Sequence, residues 1–399
     1  MLKDKKILIG VTSGIAIYKV LSLISSLRKL GAKVEVIMTE SATKFINPIT
    51  FETMANGKVY ADMWIHPDKV LHVDITNDVD LFLVAPATAN TIAKVYAGIA
   101  DNLLTTAILA SKAPVSFAVS TNTNMLLNPI TQRNIEGLTD LGYDFIDSNE
   151  GVLACNTVGK GRMAEPSEIL EYIEYKLTKK DLKNKKIIVT AGATIARLDP
   201  VRFMTNDSSG KMGYQIAKNA RNRGADVYFI QGKVKTSQLG MVENIHVETN
   251  EEMKEAIENN FNDANAVIMA AAPTDYEFKT SFDSKLKKKD EETVFNMKKS
   301  LDILKYFGQK KENQRLIGFA AETDDLLENA KKKLKAKNLD MIVANDVSKQ
   351  GAGFNVDTNI VTMITNEEET SYDLMSKEDV ANIILDKLVK DVLWCNIKI

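Results

Sequence analysis

The segment KKILIGVTSGIA, beginning at Lys5, is echoed by KKIIVTAGATIA at Lys185. Each joins a lysine pair to a short aliphatic run and then to a turn containing glycine. Apolar runs without alternation suit strands covered on both faces, as in a parallel sheet flanked by helices. Two such starts predict two separately wound α/β layers rather than one large sheet. The polar, lysine-rich stretch YKLTKKDLKNKK directly precedes the second start and reads as a boundary. Domains of residues 1–180 and 181–399 are expected, and a chain that is 45% hydrophobic can give each its own core.

Within the first half, Lys6–Ile9, Lys33–Met38, Leu81–Ala85 and Val115–Val119 read as strands and Ile15–Leu30 as a helix. In the second, Ile187–Thr190, Asp226–Ile230, Ala266–Ala271, Leu316–Phe319 and Met341–Val343 read as strands, with a helix over Glu251–Phe261. Thr249 and Glu252 have capping-box spacing, which makes Asn250 the first helical residue. Gly31 and Gly224 each follow a helix and precede a strand, as a C-terminal stop should. The alternation predicts two doubly wound, Rossmann-like α/β domains, whose ligands belong beyond the C-terminal ends of the strands.

A net charge of -2 gives no global attraction to nucleic acid or membrane surfaces; the lysines cluster only locally, at 285–289 and 331–337. The two cysteines, Cys155 and Cys395, lack metal-type spacing and imply no disulfide framework, so a reducing cytoplasm is the expected compartment. The N-terminal MLKDKKILIG enters a strand without the features of a secretory signal. No run approaches the ~20 apolar residues of a membrane span.

GVTSGIAIYK, residues 10–19, is a strand–turn–helix element in which Ser13 and Gly14 are small enough for backbone N–H groups to approach a phosphate. APATANTIAK, residues 85–94, presents Thr88 and Asn90 at a second such turn, and Ser41 follows the second strand in MTESATKF. Taken singly, each is also an ordinary turn or helix cap. Together with GIADNLLTT, NTNMLLNPITQRNI and LACNTVGKGRMAEP, in this order, they resemble the flavin-containing cysteine decarboxylase family over residues 5–175.

That resemblance implies bound FMN, contacted by Ser13, Gly14, Ser41, Thr88 and Asn90. It implies that His72, in LHVDIT, is the base and that Asn122 holds the substrate carboxylate. Cys155, on a flap completed by Gly161–Pro166, is implied as the final proton donor. The chemistry suits these residue types. A cysteine carboxylate has no electron sink for the carbanion left by losing carbon dioxide; oxidising the thiol to a thioaldehyde creates one, and a flavin is a suitable acceptor. Of the three histidines, His66 precedes a proline in a polar loop and His246 lies in the second half. A neutral imidazole at His72 can take the thiol proton near pH 7. The sequence departs from the family where Val119-Ser120-Thr121-Asn122 replaces Pro-x-Met-Asn, and where Asn156 replaces a glycine.

In the second half, LDPVRFMTNDSSGKMGYQIA, residues 198–217, combines an arginine, an asparagine and a Ser-Ser-Gly-Lys turn leading into a helix. Backbone N–H groups, hydroxyls and a cation converge there in a way that suits an anion. With AGAT, MAAAPTDY, SKLKKK, GFAAET and VANDV, it resembles the phosphopantothenate–cysteine ligase domain from residue 186 to about 365. A carboxylate is inert to amines until it carries a leaving group, and in bacterial members CTP supplies one. The resemblance implies that Asn206 forms or holds the acyl cytidylate, with Arg202 as its companion and Lys285 neutralising negative charge. It places CTP against Asp275, Lys285, Leu301, Asp302, Ile303, Leu304, Phe319, Lys333 and Lys337, with Mg2+ at Asp275. Lys333 and Lys337 are expected to share a helix face. Ala196 stands where the family often has glutamate.

Both halves together resemble the bifunctional coenzyme A biosynthesis proteins. The implied sequence is ligation of 4'-phosphopantothenate with cysteine, then decarboxylation of phosphopantothenoylcysteine to 4'-phosphopantetheine. A homo-oligomer is implied too, with a trimer-based decarboxylase core and paired ligase domains. A decarboxylase of peptide C-terminal cysteines is one alternative, which the ligase half opposes. A regulatory binding protein on the same flavin fold is another, which Cys155 opposes. Residue types alone leave CTP and ATP undistinguished, since base recognition can use backbone groups.

Overall fold

The computed structural model describes residues 2–64, 70–152, 158–236, 238–287, 293–322, 326–346, 351–353 and 355–390. The chain divides into two compact units, Met1–Thr178 and Lys179–Ile399. Among the described residues no helix is long and apolar enough to cross a membrane.

The first unit runs β1 (Lys6–Val11), α1 (Ile17–Lys29), β2 (Lys33–Met38), α2 (Glu40–Thr43), α3 (Pro48–Ala55), β3 (Val59–Tyr60), α4 (Leu71–Asp74), β4 (Leu81–Ala87) and α5 (Ala89–Tyr96). It continues through α6 (Leu103–Ala110), β5 (Val115–Val119), α7 (Thr123–Leu126), α8 (Pro129–Asp140), β6 (Asp144–Ile146), the antiparallel pair β7 (Asn149–Val152) and β8 (Val158–Arg162), and α9 (Pro166–Leu177). The main sheet has the order β3-β2-β1-β4-β5-β6, every pair parallel. Its apolar strands serve two cores. Ile7, Ile9 and Val11 pack with Val20, Leu23 and Ile173 on one face. Leu8, Phe82 and Val84 pack with Ile92, Leu104 and Ile108 on the other. That two-sided burial is why these strands lack polar alternation.

The second unit begins with β9 (Lys186–Ala191), β10 (Ile195–Arg197), β11 (Phe203–Thr205), α10 (Lys211–Asn222), β12 (Asp226–Gln231), β13 (Glu243–His246), α11 (Asn250–Phe261), β14 (Ala266–Met269), β15 (Tyr276–Phe278) and β16 (Met297–Lys299). There follow α12 (Ile303–Lys310), β17 (Arg315–Glu322), α13 (Leu326–Ala336), β18 (Met341–Asp346), β19 (Thr358–Ile364), β20 (Glu369–Ser376) and α14 (Lys377–Lys390). The sheet order is β13-β12-β9-β14-β17-β18-β19-β20. Strands β13 to β18 pair in parallel, whereas β19 and β20 join antiparallel. Both units are therefore doubly wound α/β layers of Rossmann type, the second extended by an antiparallel edge.

Local signals hold where the backbone alone decides them. Thr249 accepts from the Glu252 amide while the Glu252 carboxylate accepts from the Thr249 amide, and Asn250 opens α11. Gly31 and Gly224 adopt φ of +84° and +89°, the left-handed stops expected after α1 and α10. Strand β14 ends at Met269, short of the expected Ala271, because the next residues leave the ladder to bond a side chain of the neighbouring strand β9: Ala271 N–H donates to Thr190 Oγ1 at 3.2 Å.

Candidate functional site

In each sheet the chain reverses its direction of growth between two parallel strands, β1 and β4 in the first unit and β9 and β14 in the second. Loops leaving the C-terminal ends of such neighbours diverge to opposite faces and leave a crevice between them.

In the first unit, the turn after β1 carries Ser13 and Gly14, and the turn after β4 carries Thr88 and Asn90. The two turns are tied by the buried Thr12 hydroxyl, which donates to the Pro86 carbonyl at 2.7 Å. Helix α1 starts with no side-chain cap and no acidic residue in its first turn, so its N-terminal amides suit an anion. Thr88 caps α5 by accepting from the Thr91 amide at 3.3 Å, and Asn90 is exposed beside it. Ser41 lies exposed in α2, near the same end of the sheet, since Thr39 N–H donates to Val11 O at 3.0 Å. This donor set fits the phosphate and polar edges of a flavin nucleotide.

Asn122 caps α7 just beyond β5, its side chain accepting from the Asn124 amide at 2.9 Å. The strand β8 lies directly on this turn. Thr121 N–H donates to Gly161 O at 2.9 Å, and the Thr123 hydroxyl donates to Lys160 O at 2.7 Å. Gly161 has φ +123°, and a Cβ there would stand 2.3 Å from Thr121 O, so only glycine permits this approach. The end of the Gly161–Pro166 run is anchored separately: the buried Lys19 ammonium in α1 donates to Met163 O at 3.2 Å and pairs with Glu165 at 2.8 Å. Cys155 and Asn156 lie outside the described residues. His72 is partly exposed on α4, which is seated by Leu71 and Ile75 in the core. Ser13, Gly14, Thr88, Asn90 and Asn122 thus share one end of the sheet.

The second unit holds a cavity of about 790 Å³ at the C-terminal ends of β14, β17 and β18. Gly192 and Gly210 shape its rim. Both have φ +79°, and a Cβ on Gly192 would meet Lys233 O at 2.6 Å. Gly210 is the N-cap of α10, which has no side-chain cap and no acidic residue in its first turn. Residues 208–212 line the cavity, so the Ser-Ser-Gly-Lys turn offers an anion-binding helix start. Beneath it, the buried Thr194 hydroxyl donates to Asn250 Oδ1 at 2.5 Å and accepts from the Thr274 amide at 2.9 Å. Asn250 Nδ2 completes the network on Thr274 O at 2.9 Å.

Asn206, Asp275, Leu301, Asp302, Ile303, Leu304, Phe319, Lys333 and Lys337 all line this cavity. The Asn206 carboxamide donates to Ala272 O and Pro273 O at 3.2 and 3.0 Å, which aligns it along the loop after β14. Asp302 caps α12 and pairs with Lys337 at 3.0 Å. The expectation for Lys333 and Lys337 needs one correction: α13 ends at Ala336, so Lys337 follows the helix, although its N–H still donates to Lys333 O at 3.0 Å. Among the described residues no group of three or more His, Cys, Asp or Glu forms a metal site.

Arg202 and Lys285 are not among the lining residues. Arg202 is held by the fully buried carboxylate of Asp199, and both partners bond Leu286: Leu286 N–H donates to Asp199 at 3.1 Å and Arg202 donates to Leu286 O at 2.7 Å. The Arg202 hydrogen bond, with further donors from the Val201, Leu286 and Arg202 backbone, holds Asp199 well below the ordinary carboxylate range. Arg202 thus anchors the segment that carries Lys285.

Several lining residues escaped the sequence reading. Asn345 is 8% exposed, and among the described residues neither its Oδ1 nor the buried Ser300 Oγ has a partner. Unpaired buried polar atoms facing a cavity fit ligand groups. VANDV, which contains Asn345, was the available signal. Lys211 and Lys377 also line the cavity.

Residues 1–178 match the Flavoprotein family and residues 182–392 the DNA/pantothenate metabolism flavoprotein C-terminal domain. The chain is 45% identical to the coenzyme A biosynthesis bifunctional protein of Bacillus subtilis (strain 168), over 97% of each chain. It is 42% identical to the protein of the same name from Borreliella burgdorferi, covering 96% of this chain and 98% of the relative. A crystal structure of the C-terminal domain of such a protein is 39% identical, covers 54% of this chain and 98% of that chain, and superposes with a TM-score of 0.47. Two family matches in tandem, and close relatives aligned almost end to end, place the chain in the family of coenzyme A biosynthesis bifunctional proteins.

Proposed function

We propose that the second unit joins 4'-phosphopantothenate to cysteine at the expense of CTP, and that the first decarboxylates the phosphopantothenoylcysteine so formed. Membership of the family carries the pair of activities, a ligase and a decarboxylase in coenzyme A biosynthesis. The observation that carries the division of labour is the pair of crevices at the two strand-order reversals, each lined by its own motif set.

In the ligase unit, the uncapped start of α10 receives triphosphate, while Lys333 and Lys337, which also line the cavity, balance its charge. Phe319 and residues 301–304 border the nucleoside. Asp275, which lines the cavity, would hold Mg2+, a cation that would neutralise phosphate charge. Asn206, fixed on the Ala272 and Pro273 carbonyls, keeps the activated acyl group in place for attack by the cysteine amine. Lys285, held by the Asp199–Arg202 anchor on Leu286, neutralises developing charge.

In the decarboxylase unit, the turns after β1 and β4, with Ser41 beside them, would hold FMN. Bound FMN supplies a two-electron acceptor for the substrate thiol and returns the pair at the end. His72 takes the thiol proton, Asn122 orients the carboxylate, and Cys155 gives the last proton. The strand β8 is fixed on the Asn122 turn, and the chain that follows it is fixed by Lys19 at Met163 and Glu165. The protein acts as a homo-oligomer in the cytoplasm, with a trimer-based decarboxylase core and paired ligase domains.

Incubation with phosphopantothenate, cysteine, CTP and magnesium, followed by mass analysis, tests the proposal. Phosphopantetheine is expected, with phosphopantothenoylcysteine as its precursor; ATP in place of CTP tests the choice of nucleotide. Absence of the amide product with either nucleotide would refute the ligase assignment.

A further inference from the structure

Lys377 is a buried cation in an unfavourable place. It is the first residue of α14, where the helix dipole disfavours positive charge, and it is 4% exposed. Burial, then repulsion from Lys211, push its ammonium down to about 8, against attraction from Asp357. An apolar side chain would fill this position more cheaply. A violated local preference of this kind asks for a compensating role.

The partners of the ammonium supply one. Lys377 Nζ donates to Val356 O at 2.6 Å and to Gly353 O at 2.9 Å, and its backbone N–H donates to Asp357 O at 2.9 Å. The segment it grips is bound on its other side to the start of α10. Lys211 donates to Asn355 O at 3.0 Å and pairs with Asp357 at 2.7 Å. Asn355 Nδ2 donates to Asp207 Oδ2 at 2.9 Å, and Lys235 donates to Asn355 Oδ1 at 3.0 Å. Asp207 directly follows Asn206. Charge-assisted hydrogen bonds therefore lead from α14, through residues 355–357, to the turn that presents Asn206 to the cavity.

We propose that Lys377 is a positioning residue for amide formation: it holds Gly353 and residues 355–357 in place, and Asn355 holds Asp207 and so the Asn206 turn against the cavity. The inference rests on the ligase assignment of the second unit. Displacing a reacting group by a fraction of an ångström lowers turnover more than substrate binding, because the reacting atoms must meet in a narrow geometry.

The test uses the full chain in two variants. Lys377→Met removes the buried ammonium. Asn355→Ala removes the ties to Asp207 and Lys235 at an exposed residue that does not line the cavity, so it leaves folding undisturbed should the first variant not fold. Steady-state ligation with phosphopantothenate, cysteine and CTP is measured beside decarboxylation of supplied phosphopantothenoylcysteine. In Lys377→Met the kcat for ligation should fall roughly 10- to 100-fold, the size that loss of a charge-assisted hydrogen bond carries. In Asn355→Ala it should fall severalfold. The decarboxylation rate should stay within about twofold of wild type in both variants, and so should the KM for CTP in Asn355→Ala, whose side chain does not line the cavity. The double variant should lose little beyond Lys377→Met alone, because both act through one segment. Wild-type kcat in Asn355→Ala, or losses that multiply in the double variant, would overturn the inference while leaving the ligase assignment intact. A wild-type chain that forms no amide would bring both down.

Discussion

Asp199 and Arg202, three residues apart, form an ion pair in which two guanidinium nitrogens donate to one carboxylate oxygen, Asp199 Oδ2; the carboxylate is fully buried and the guanidinium reaches on to the Leu286 carbonyl. Through it, the turn before β11 grips the segment that carries Lys285. The linkage to pH has a definite sign. Asp199 is held below its unfolded pKa, so the unfolded chain binds more protons, and stability rises with pH. The contribution is present above the ordinary aspartate value of about 4 and is lost as the pH falls below it. Thermal melts should show the second unit weakening below about pH 4, and Asp199→Asn should flatten that decline while destabilising the protein at pH 7. An unchanged acid limb in Asp199→Asn would contradict the assignment.

Thr12→Val should loosen flavin binding. The hydroxyl it removes is buried and joins the two turns flanking the crevice, and the Pro86 carbonyl would be left unpaired at a cost of about 1–3 kcal/mol. Fluorescence titration with FMN should report weaker binding, and ligation in the other unit should be unaffected. Equal flavin affinity would show that the tie does not set the crevice.

Gly308→Ala should weaken nucleotide binding from outside the cavity. The glycine of α12 lies so close to Lys337 that an added Cβ would stand 1.8 Å from its carbonyl oxygen. Overpacking of this kind costs about 1–3 kcal/mol, and it displaces a cavity lysine. Calorimetric titration with CTP should show roughly tenfold weaker binding, which corresponds to about 1.4 kcal/mol. Unaltered affinity would mean that Lys337 does not contact the nucleotide.

Asn206→Ala should separate the two activities. Its carboxamide is oriented within the ligase cavity by Ala272 and Pro273, residues of the second unit. Amide formation should drop by about 100-fold or more, the usual scale for losing a group that acts on the transition state. Decarboxylation of supplied phosphopantothenoylcysteine should be retained. Parallel loss of both in a folded variant would contradict two independent sites.

Cys155→Ser should uncouple carbon dioxide release from the final protonation. Serine is a far weaker acid than cysteine, so the ene-thiolate left by decarboxylation waits for its proton. An unsaturated product lacking two hydrogens should accumulate, whereas His72→Asn should release no carbon dioxide. Mass spectrometry showing only saturated product from Cys155→Ser would remove the cysteine from this role.

The amino-acid sequence by itself determined the parts whose causes are local. Apolar runs such as Ile187–Thr190 become strands because both of their sides are covered, and Thr249 with Glu252 closes a capping box within one turn. The resemblance to the ligase domain made Asn206, Asp275 and Phe319 legible as members of one site, and all three line one cavity. The antiparallel strands β19 and β20 were not legible, because β19 alternates buried with partly covered residues and β20 has no buried residue, so neither shows a continuous apolar run. Only the tertiary structure turned Arg202 from a cavity group into an anchor on Leu286, and brought Lys377 against Gly353 and Val356. Those roles depend on which distant backbone carbonyls a buried cation meets. Helix packing fixes that meeting through dispersion and burial summed over many residues, and no short motif records it.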